Sequence, residues 1–200
     1  MISYKYSNNA DRSEVLEKIK GLKVIDVGGA TSFADGHLSA IVDFNEPLAK
    51  SKQFFQGNIN LPEVWERVRD CVNLTTKYDF AICTHTLEDI SNPLLVCRQM
   101  EKIAMAGFIV VPSKYIELAR LGNHFRGFIH HRWIFDIIDG KFTGFPKVNL
   151  IEHPRFDQVK GEEGELQIFW EGEIGMEIIN NDWLGPDNAS VESYYDKLIS

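Results

Sequence analysis

Two acidic residues and a pair of glycines lie where they could hold a small ligand. Gly28 and Gly29 follow the apolar run Val24 to Val27, which contains Asp26, and Asp43 closes a second apolar run 17 positions beyond Asp26. Because glycine has no Cβ, a strand that runs into paired glycines lets the main chain approach a ligand closely. An acid that closes the next strand, about 20 residues on, is typical of sheets that hold ribose hydroxyls. Paired glycines also occur in ordinary turns, but the two features together predict a ligand-binding turn.

Four histidines follow strand-like runs and could accept a proton. His85 comes directly after the apolar run Tyr78 to Thr84, and His124, His130 and His131 lie in the segment LGNHFRGFIHHRWIF. The unperturbed pKa of histidine, about 6.5, suits proton removal at neutral pH. We predict His85, His130 and His131 as candidate bases, with a structural role as the alternative.

The same segment is a basic island in an acidic chain. Arg120, Arg126 and Arg132 lie among its histidines. An arginine fork suits a carboxylate or a phosphate, so we predict that Arg126, Arg132 and His124 bind an anionic group of a substrate. The alternative is that these arginines pair with the acidic stretch Glu162 to Glu173.

The sequence lacks the usual spacings of a metal site. Its histidines form no HxH or HExxH pattern, and its three cysteines form no CxxC pair. We therefore predict no metal site and expect reduced, buried thiols. A metal on His124, His130 or His131 together with a carboxylate is the alternative.

The elements that would position these residues are strands alternating with helices. Near-continuous apolar runs are typical of strands buried in a parallel sheet. They lie at 22–27, 40–44, 78–84 and 107–112. Helical patterns alternate with them, at 9–20 with Asn9 or Asp11 as the cap, at 60–72 and at 91–105. This alternation predicts an α/β protein with a three-layer α/β/α arrangement around a Rossmann-like parallel sheet.

The last third of the chain has a different pattern. Strand-like pieces separated by glycines predict an antiparallel edge on the sheet. They lie at 133–138, 146–152, 165–171 and 176–180, and one helical pattern follows at 190–199. No proline- or glycine-rich linker divides the chain, so we predict a single domain spanning residues 1–200.

The composition limits the class of partner. The chain has 200 residues and a net charge of -8, which disfavours nucleic acid as a partner. No apolar run approaches the roughly 18 residues that a membrane span needs, and the N-terminal residues lack the pattern of a secretory signal. We expect a cytoplasmic protein that acts on a small molecule, and the sequence does not indicate an oligomeric state.

Four segments, in order, resemble those of a known family. They are VIDVGG at 24–29, Asp43, QGNINLPEVW at 56–65 and CTHTLEDISNP at 83–93. The chain from about Gly21 to Pro112 resembles the class I S-adenosylmethionine-dependent methyltransferases, in particular their small-molecule, methyltransferase type 11-like branch. This resemblance implies a cofactor-binding half at 1–112 and an acceptor-side half, with a strand-rich C-terminal addition, at 113–200.

The resemblance also implies which residues hold the cofactor, S-adenosylmethionine. The glycine turn would lie beside its methionine part, and Asp43 would hold its ribose diol. The loop at 56–65 would lie against the adenine, with Asn58 where the family usually has an aspartate. The implied cofactor-binding residues are Asp26, Gly28, Gly29, Asp43, Phe44, Asn58, Ile59, Thr84 and His85. The implied activity is transfer of a methyl group to oxygen or nitrogen of a small acceptor that carries a carboxylate or phosphate.

Two departures from the family's pattern keep alternatives open. Ala30 and Ser32 stand where the family usually has further glycines, and the span from Asp26 to Asp43 is short, which predicts a helix of only one or two turns there. A non-catalytic S-adenosylmethionine-binding or regulatory module would fit the lost glycines. A nicotinamide-dependent oxidoreductase is a weaker alternative, because GGATSF stands in place of GxGxxG.

Overall fold

The computed structural model of the chain describes residues 1–8, 12–74, 76–122, 124–179 and 187–199. The strands in these ranges are β1 (Ile2–Ser7), β2 (Val24–Val27), β3 (Leu38–Asp43), β4 (Ser51–Gln56), β5 (Tyr78–Thr84), β6 (Ala104–Pro112), β7 (Trp133–Ile138), β8 (Lys141–Pro146), β9 (Glu165–Glu171) and β10 (Glu177–Ile178). The α-helices are α1 (Ser13–Lys18), α2 (Pro62–Asn73), α3 (Pro93–Ile103), α4 (Lys114–Glu117) and α5 (Asn188–Tyr195).

Seven strands form one mixed sheet in the order β1-β9-β6-β5-β2-β3-β4. Strands β2 to β6 pair in parallel, whereas β9 is antiparallel to both of its neighbours, β6 and β1. The carboxyl ends of β2, β3, β5 and β6 therefore meet at one edge, and the turns that follow them lie together. The prediction of a mostly parallel α/β sheet is confirmed.

The central strands are buried on both sides, because their side chains alternate between two apolar clusters. Ile25 packs in one cluster with Trp65 of α2 and Met100 of α3. Val24 packs in the other with Ile19, which directly follows α1. Strands buried in this way need apolar residues on both faces, which explains why they are visible in the sequence as continuous apolar runs.

The connection between β2 and β3 differs from the expectation. Residues 28–37 form turns and bends with no helix, so the prediction of a short helix there is wrong. Gly36 has φ of +83°, a left-handed conformation that ends any right-handed helical turn. The chain therefore returns from the carboxyl end of β2 to the amino end of β3 through a loop without a helix.

Three strands were not expected from the sequence. In β1 and β4 most residues are exposed or half-buried, as is typical of strands at the edges of a sheet. The third, β8, pairs with β7 and β10 in a separate three-stranded sheet. The strand predicted at 146–152 is wrong: β8 ends at Pro146, and Asn149–Glu152 is a 3-10 helix.

The described helices are short. Helix α2 has 12 residues, and no described helix is both long and apolar enough to cross a membrane. Helix α3 begins as predicted, with Asn92 as N-cap accepting a hydrogen bond from the Leu95 amide and with Pro93 in the first turn. Helix α1 begins at Ser13, and the predicted caps Asn9 and Asp11 lie outside the described residues.

Candidate functional site

The glycine turn after β2 is packed against protein side chains. Gly28 has φ of +77°, and its amide donates to the Val42 carbonyl at 2.9 Å. A Cβ at Gly28 would lie 2.3 Å from Oγ1 of Thr86, and a Cβ at Gly29 would lie 2.2 Å from Cγ of Asp26. The two glycines therefore let the turn approach Thr86 and Asp26, and a side chain at either position would displace the loop.

Asp26 lies beneath this turn and does not line a cavity. Its side chain is fully buried and accepts a hydrogen bond from the Ser32 hydroxyl, while its Oδ1 has no hydrogen-bond partner among the described residues. Burial raises the pKa of Asp26 to about 7. The hydrogen bond from Ser32 lowers this pKa, and the negative charge of Asp43 raises it further. Asp26 therefore supports the turn from beneath, and its direct contact with a ligand stays a prediction.

Asp43, at the end of β3, is held in place by two backbone amides. Its Oδ2 accepts from the Ala30 amide at 3.1 Å, and its Oδ1 accepts from the Asn45 amide at 2.8 Å. A carboxylate offers about four acceptor sites, so each oxygen keeps capacity for another donor. Asp43 is both oriented by the protein and able to accept from a ligand hydroxyl.

A cavity of about 200 Å³ lies at the carboxyl edge of the sheet beside Asp43. Its lining includes six predicted ligand residues and four that the sequence analysis missed. The predicted ones are Gly28, Asp43, Phe44, Asn58, Ile59 and His85, and the missed ones are Asn60, Thr86, Asp89 and Ile90. Gly29 and Thr84 do not line it. Phe44 is 67% exposed, which leaves an aromatic face at the rim.

Asparagines connect the loop before α2 to the start of α3. Oδ1 of Asn58 accepts from the amide and the side chain of Asn60, both at 3.0 Å. Oδ1 of Asn60 accepts from the Ser91 hydroxyl at 3.1 Å and from the Asn92 amide at 2.9 Å. These bonds fix the wall of the cavity opposite Asp43.

A second cavity, of about 430 Å³, adjoins the first and shares His85 and Asp89 with it. The three predicted bases all line it, although His85 is distant in sequence from the adjacent pair His130 and His131. The complete lining is His85, Glu88, Asp89, Pro112, Ile116, Phe128, His130, His131, Gly164 and Glu165. Together the two cavities reach the size usual for a small-molecule site, about 300 to 1,000 Å³. We call them the Asp43 cavity and the Glu88 cavity.

His85 is held between two carboxylates and is protonated at neutral pH. Its Nε2 lies 3.1 Å from Oε1 of Glu165, and its Nδ1 lies 3.6 Å from Oε1 of Glu88. The hydrogen bond to Glu165 and then that to Glu88 raise the pKa of His85 to about 9. A protonated imidazole has no lone pair to accept a proton, so His85 does not fit the predicted role of base.

Glu165, at the start of β9, is the centre of a charged network. Its Oε1 also accepts from Nη2 of Arg12 at 2.7 Å, and its Oε2 accepts from Gln167 at 2.8 Å. Burial alone would raise the pKa of Glu165, but the hydrogen bonds from His85, Arg12 and Gln167 outweigh it and lower the pKa to about 2. Glu165 therefore stays ionised and keeps His85 charged.

Glu88 was missed by the sequence analysis, although it stands in the quoted segment CTHTLEDISNP. Its side chain is 2% exposed, and its Oε2 has no hydrogen-bond partner among the described residues. An unpartnered buried carboxylate oxygen is costly unless a ligand or water satisfies it. Since Glu88 lines the second cavity, a donor bound there could supply the missing hydrogen bond.

His131 is oriented by a buried carboxylate. Its Nδ1 lies 2.5 Å from Oε1 of Glu117, and the other oxygen of Glu117 accepts from Nζ of Lys147 at 2.5 Å. A carboxylate can only accept, so Nδ1 carries a proton that it donates to Glu117. Nε2 of His131 lies 3.8 Å from Oδ1 of Asp89, which is also 4.0 Å from Nε2 of His130.

The predicted anion-binding residues do not line either cavity. Arg126 is 2% exposed, donates to the Leu118 carbonyl at 2.6 Å and pairs with Asp157. Arg126 is thus paired with an acid of the C-terminal part of the chain. That acid, Asp157, lies outside the stretch Glu162 to Glu173 that the alternative named. His124 is exposed. Arg132 is exposed too, and its amide donates to the Glu88 carbonyl at 2.6 Å, which places it beside the second cavity.

Comparison of the chain with protein-family models gives no match, and comparison with curated proteins gives none either. Among solved structures, the chain is similar to protein 1320 of Thermoplasma acidophilum, with 16% identity, 78% of this chain and 83% of that chain covered, and a TM-score of 0.39. It is similar to the N-terminal domain of EvdMO1 with SAH bound, with 12% identity and a TM-score of 0.38. That match covers 96% of this chain and 72% of the other. It is also similar to the MycE methyltransferase from the mycinamycin biosynthetic pathway in complex with Mg and SAH, with 10% identity and a TM-score of 0.38. That match covers 92% of this chain and 53% of the other. These identities and TM-scores are too low to carry an argument about what this chain binds.

Proposed function

We propose that the protein binds S-adenosylmethionine in the Asp43 cavity and transfers its methyl group to a small acceptor in the Glu88 cavity. The observation that carries this proposal is the junction of the two cavities at His85 and Asp89. One side of the junction offers a carboxylate beside a glycine turn, and the other offers a buried carboxylate oxygen without a partner. A two-substrate transfer needs such an arrangement, with each substrate entering from its own side.

The residues of the Asp43 cavity suit the parts of S-adenosylmethionine. Asp43 keeps acceptor capacity for the ribose hydroxyls, because the Ala30 and Asn45 amides occupy one site on each oxygen. The exposed ring of Phe44 would pack on the adenine, and Ile59 would contact it from the cavity wall. The sequence resemblance from Gly21 to Pro112 supports the same assignment.

The chemistry is an in-line displacement at the methyl carbon. The bond between sulfur and methyl breaks, its electron pair returns to sulfur, and a new bond forms between the methyl group and oxygen or nitrogen of the acceptor. The acceptor loses a proton, for which we propose the unpartnered Oε2 of Glu88. Positioning supplies most of the rate, because the reacting atoms must be aligned and water excluded.

His85 has a positioning role in this proposal. As an imidazolium between Glu88 and Glu165, it ties β9 to the segment that follows β5. It also holds Oε1 of Glu88, which leaves Oε2 for the acceptor. The two carboxylates offset its charge, so it does not oppose a cationic sulfonium in the adjacent cavity.

The acceptor is proposed to carry a carboxylate or phosphate. Among the three predicted anion contacts, Arg132 is the one whose backbone lies beside the Glu88 cavity, and its side chain has no ion pair among the described residues. A free guanidinium at the mouth of an acidic site favours an anionic acceptor over a cationic one. Arg126 has a structural role in this proposal, because its guanidinium is buried and paired.

Binding and turnover experiments test the proposal in two steps. Calorimetry with S-adenosylmethionine, S-adenosylhomocysteine and NAD should show binding of the first two and none of NAD. A screen of carboxylated metabolites and sugar nucleotides should then yield a methylated product. Binding without product for any acceptor would favour the regulatory-module alternative, and binding of NAD alone would favour an oxidoreductase.

A further inference from the structure

Three side chains that line the Glu88 cavity have the composition of a metal site. One ligand atom each from Asp89, His130 and His131 lies within 4.8 Å of the others. Oδ1 of Asp89 lies 3.8 Å from Nε2 of His131 and 4.0 Å from Nε2 of His130. The two imidazole rings meet edge to face, with their centroids 4.4 Å apart. The carboxylate thus faces both ring nitrogens from one side.

The ring of His131 is oriented through Nδ1, as is usual for a histidine that binds a metal through its other nitrogen. Metal-binding histidines usually donate their other ring nitrogen to a carboxylate or a carbonyl, which fixes the tautomer and the ring orientation. Nδ1 of His131 lies 2.5 Å from Glu117, which is fully buried and is itself fixed by Lys147. Glu117 thus contacts Lys147 through one oxygen and the ring of His131 through the other. Nε2 on the other side of the ring faces Oδ1 of Asp89 across 3.8 Å.

We infer that Asp89, His130 and His131 bind a divalent transition-metal ion of the Zn²⁺ class. In a tetrahedral zinc site, ligand atoms about 2.0 to 2.1 Å from the ion lie roughly 3.3 Å from one another. The separations of 3.8 and 4.0 Å therefore need to close by only several tenths of an ångström. His130 is 64% exposed and Asp89 is 46% exposed, so both side chains have the freedom to move by that amount.

The donor set distinguishes among metals. Two imidazoles and one carboxylate suit Zn²⁺, Co²⁺ or Fe²⁺, whereas Mg²⁺ prefers oxygen ligands alone. Three protein ligands leave an open position, which is the arrangement of a catalytic and not a structural ion. All three residues line the Glu88 cavity, so the open position faces it.

This location gives the ion a role that rests on the proposed function. An acceptor oxygen bound at the open position would be oriented toward the Asp43 cavity and would lose its proton more readily to Glu88. The ion would also attract an anionic acceptor. The acceptor class is thereby narrowed to molecules with a hydroxyl or carboxylate able to ligate a metal.

The test uses the full chain without a histidine tag, stripped of metal by a chelator. Titration with Zn²⁺ by calorimetry should show one site, and Co²⁺ should give the visible absorption of a low-symmetry complex. Mg²⁺ should not compete. The variants Asp89→Asn, His130→Ala and His131→Ala should each weaken Zn²⁺ binding by at least about a hundredfold, and Glu117→Gln by roughly ten- to a hundredfold.

Controls keep folding and function separate from metal binding. His37→Ala removes an exposed histidine far from the junction in sequence and should bind Zn²⁺ like the parent. His130→Ala is the decisive variant, because its exposed side chain can be removed without disturbing the core. The inference is overturned if the parent chain does not bind Zn²⁺. It is also overturned if His130→Ala binds Zn²⁺ as tightly as the parent. Binding of S-adenosylhomocysteine to the metal-free chain, measured in parallel, tests the proposed function independently: either can fail while the other stands.

Discussion

Nε2 of His85 lies 3.1 Å from Oε1 of Glu165, a contact that joins two residues 80 positions apart in the chain. It exists because β9 runs antiparallel beside β6 and pairs Glu165 with Pro112, at the carboxyl edge where β5 also ends. The contact turns a residue that sequence reasoning offers as a base into a cation. It also closes one wall of the Glu88 cavity with a carboxylate from the C-terminal third.

Glu165→Gln should lower the pKa of His85. The hydrogen bond to Glu165 is the largest cause of the rise to about 9, and Glu88 would remain as the second acid facing the ring. We expect His85 in this variant to titrate closer to the ordinary histidine value of about 6.5. NMR titration of the imidazole resonances measures it. Glu173→Gln, an exposed acid on the same part of the chain, is the control, and a His85 that still titrates near 9 in Glu165→Gln contradicts the assignment.

Asp43→Asn should weaken binding of S-adenosylmethionine. The amide group would lose one charged acceptor and would turn an NH₂ toward the Ala30 or Asn45 amide, both of which need an acceptor. A loss on the order of 1 to 3 kcal/mol is expected, or roughly 5- to 150-fold in Kd, by calorimetry. The nearby exposed acid Glu46 provides the control Glu46→Gln. Equal affinity in Asp43→Asn and the parent would place the cofactor elsewhere.

Glu88→Gln should reduce turnover and leave cofactor affinity within about twofold of the parent. The amide keeps the size of the side chain but cannot take the acceptor's proton, so kcat should fall by roughly a hundredfold or more. Steady-state kinetics with the best acceptor from the screen, together with S-adenosylhomocysteine calorimetry, separates the two effects. Glu66→Gln on the exposed face of α2 serves as the matched control. An undiminished kcat in Glu88→Gln would show that Glu88 is not the proton acceptor.

Arg132→Gln and Arg126→Gln should behave differently. Arg132 is exposed beside the Glu88 cavity, so its substitution should raise KM for an anionic acceptor by roughly tenfold and should affect an uncharged analogue much less. Arg126 is buried and donates to the Leu118 carbonyl, so its substitution should lower Tm by on the order of 5 °C. Kinetics and thermal unfolding of both variants provide the comparison. A raised KM in Arg126→Gln together with a lowered Tm in Arg132→Gln would contradict both assignments.

The ionisation of Asp26 should make the protein less stable as the pH rises from 4 to 7. Burial raises the pKa of this carboxyl from 3.8 to about 7, in the presence of the Ser32 hydroxyl, the Asp43 charge and the Cys83 thiol. The folded state therefore favours the protonated form: the stabilisation is complete below about pH 4 and is lost as the pH rises through 7. The difference between the two pKa values corresponds to on the order of 4 kcal/mol.

Urea unfolding of the parent and of Asp26→Asn between pH 4 and 6.5 measures this effect. The variant cannot ionise, so its free energy of unfolding should change less over this range. His85, whose pKa is also raised, weakens the fold with rising pH only above about pH 6.5 and so does not interfere. Asp70→Asn, at an exposed position of α2, should keep the slope of the parent. Identical slopes in the parent and Asp26→Asn would mean that Asp26 ionises freely.

The strands at the centre of the main sheet were predictable, and its exposed edge strands were not. Strand β5 matches the apolar run at 78–84, and α3 begins at the predicted Asn92 cap, because burial and capping impose residue types that are visible locally. Strands β1 and β4 carry polar, exposed residues, and their pairing comes from neighbours distant in sequence. The loop from Gly28 to His37 forms no helix, because its glycines and short span leave no room for one.

The sequence by itself determined the parallel sheet, the glycine turn, the acid at Asp43 and the group of histidines near one edge, because each depends on residue type and short spacing. Only the tertiary structure decided what those residues can do. It covered Asp26, paired Arg126 with Asp157, protonated His85 between two acids and left Oε2 of Glu88 without a partner. Charge, burial and hydrogen bonding depend on which groups lie within a few ångströms, and the contacts that set them here join positions up to 153 residues apart.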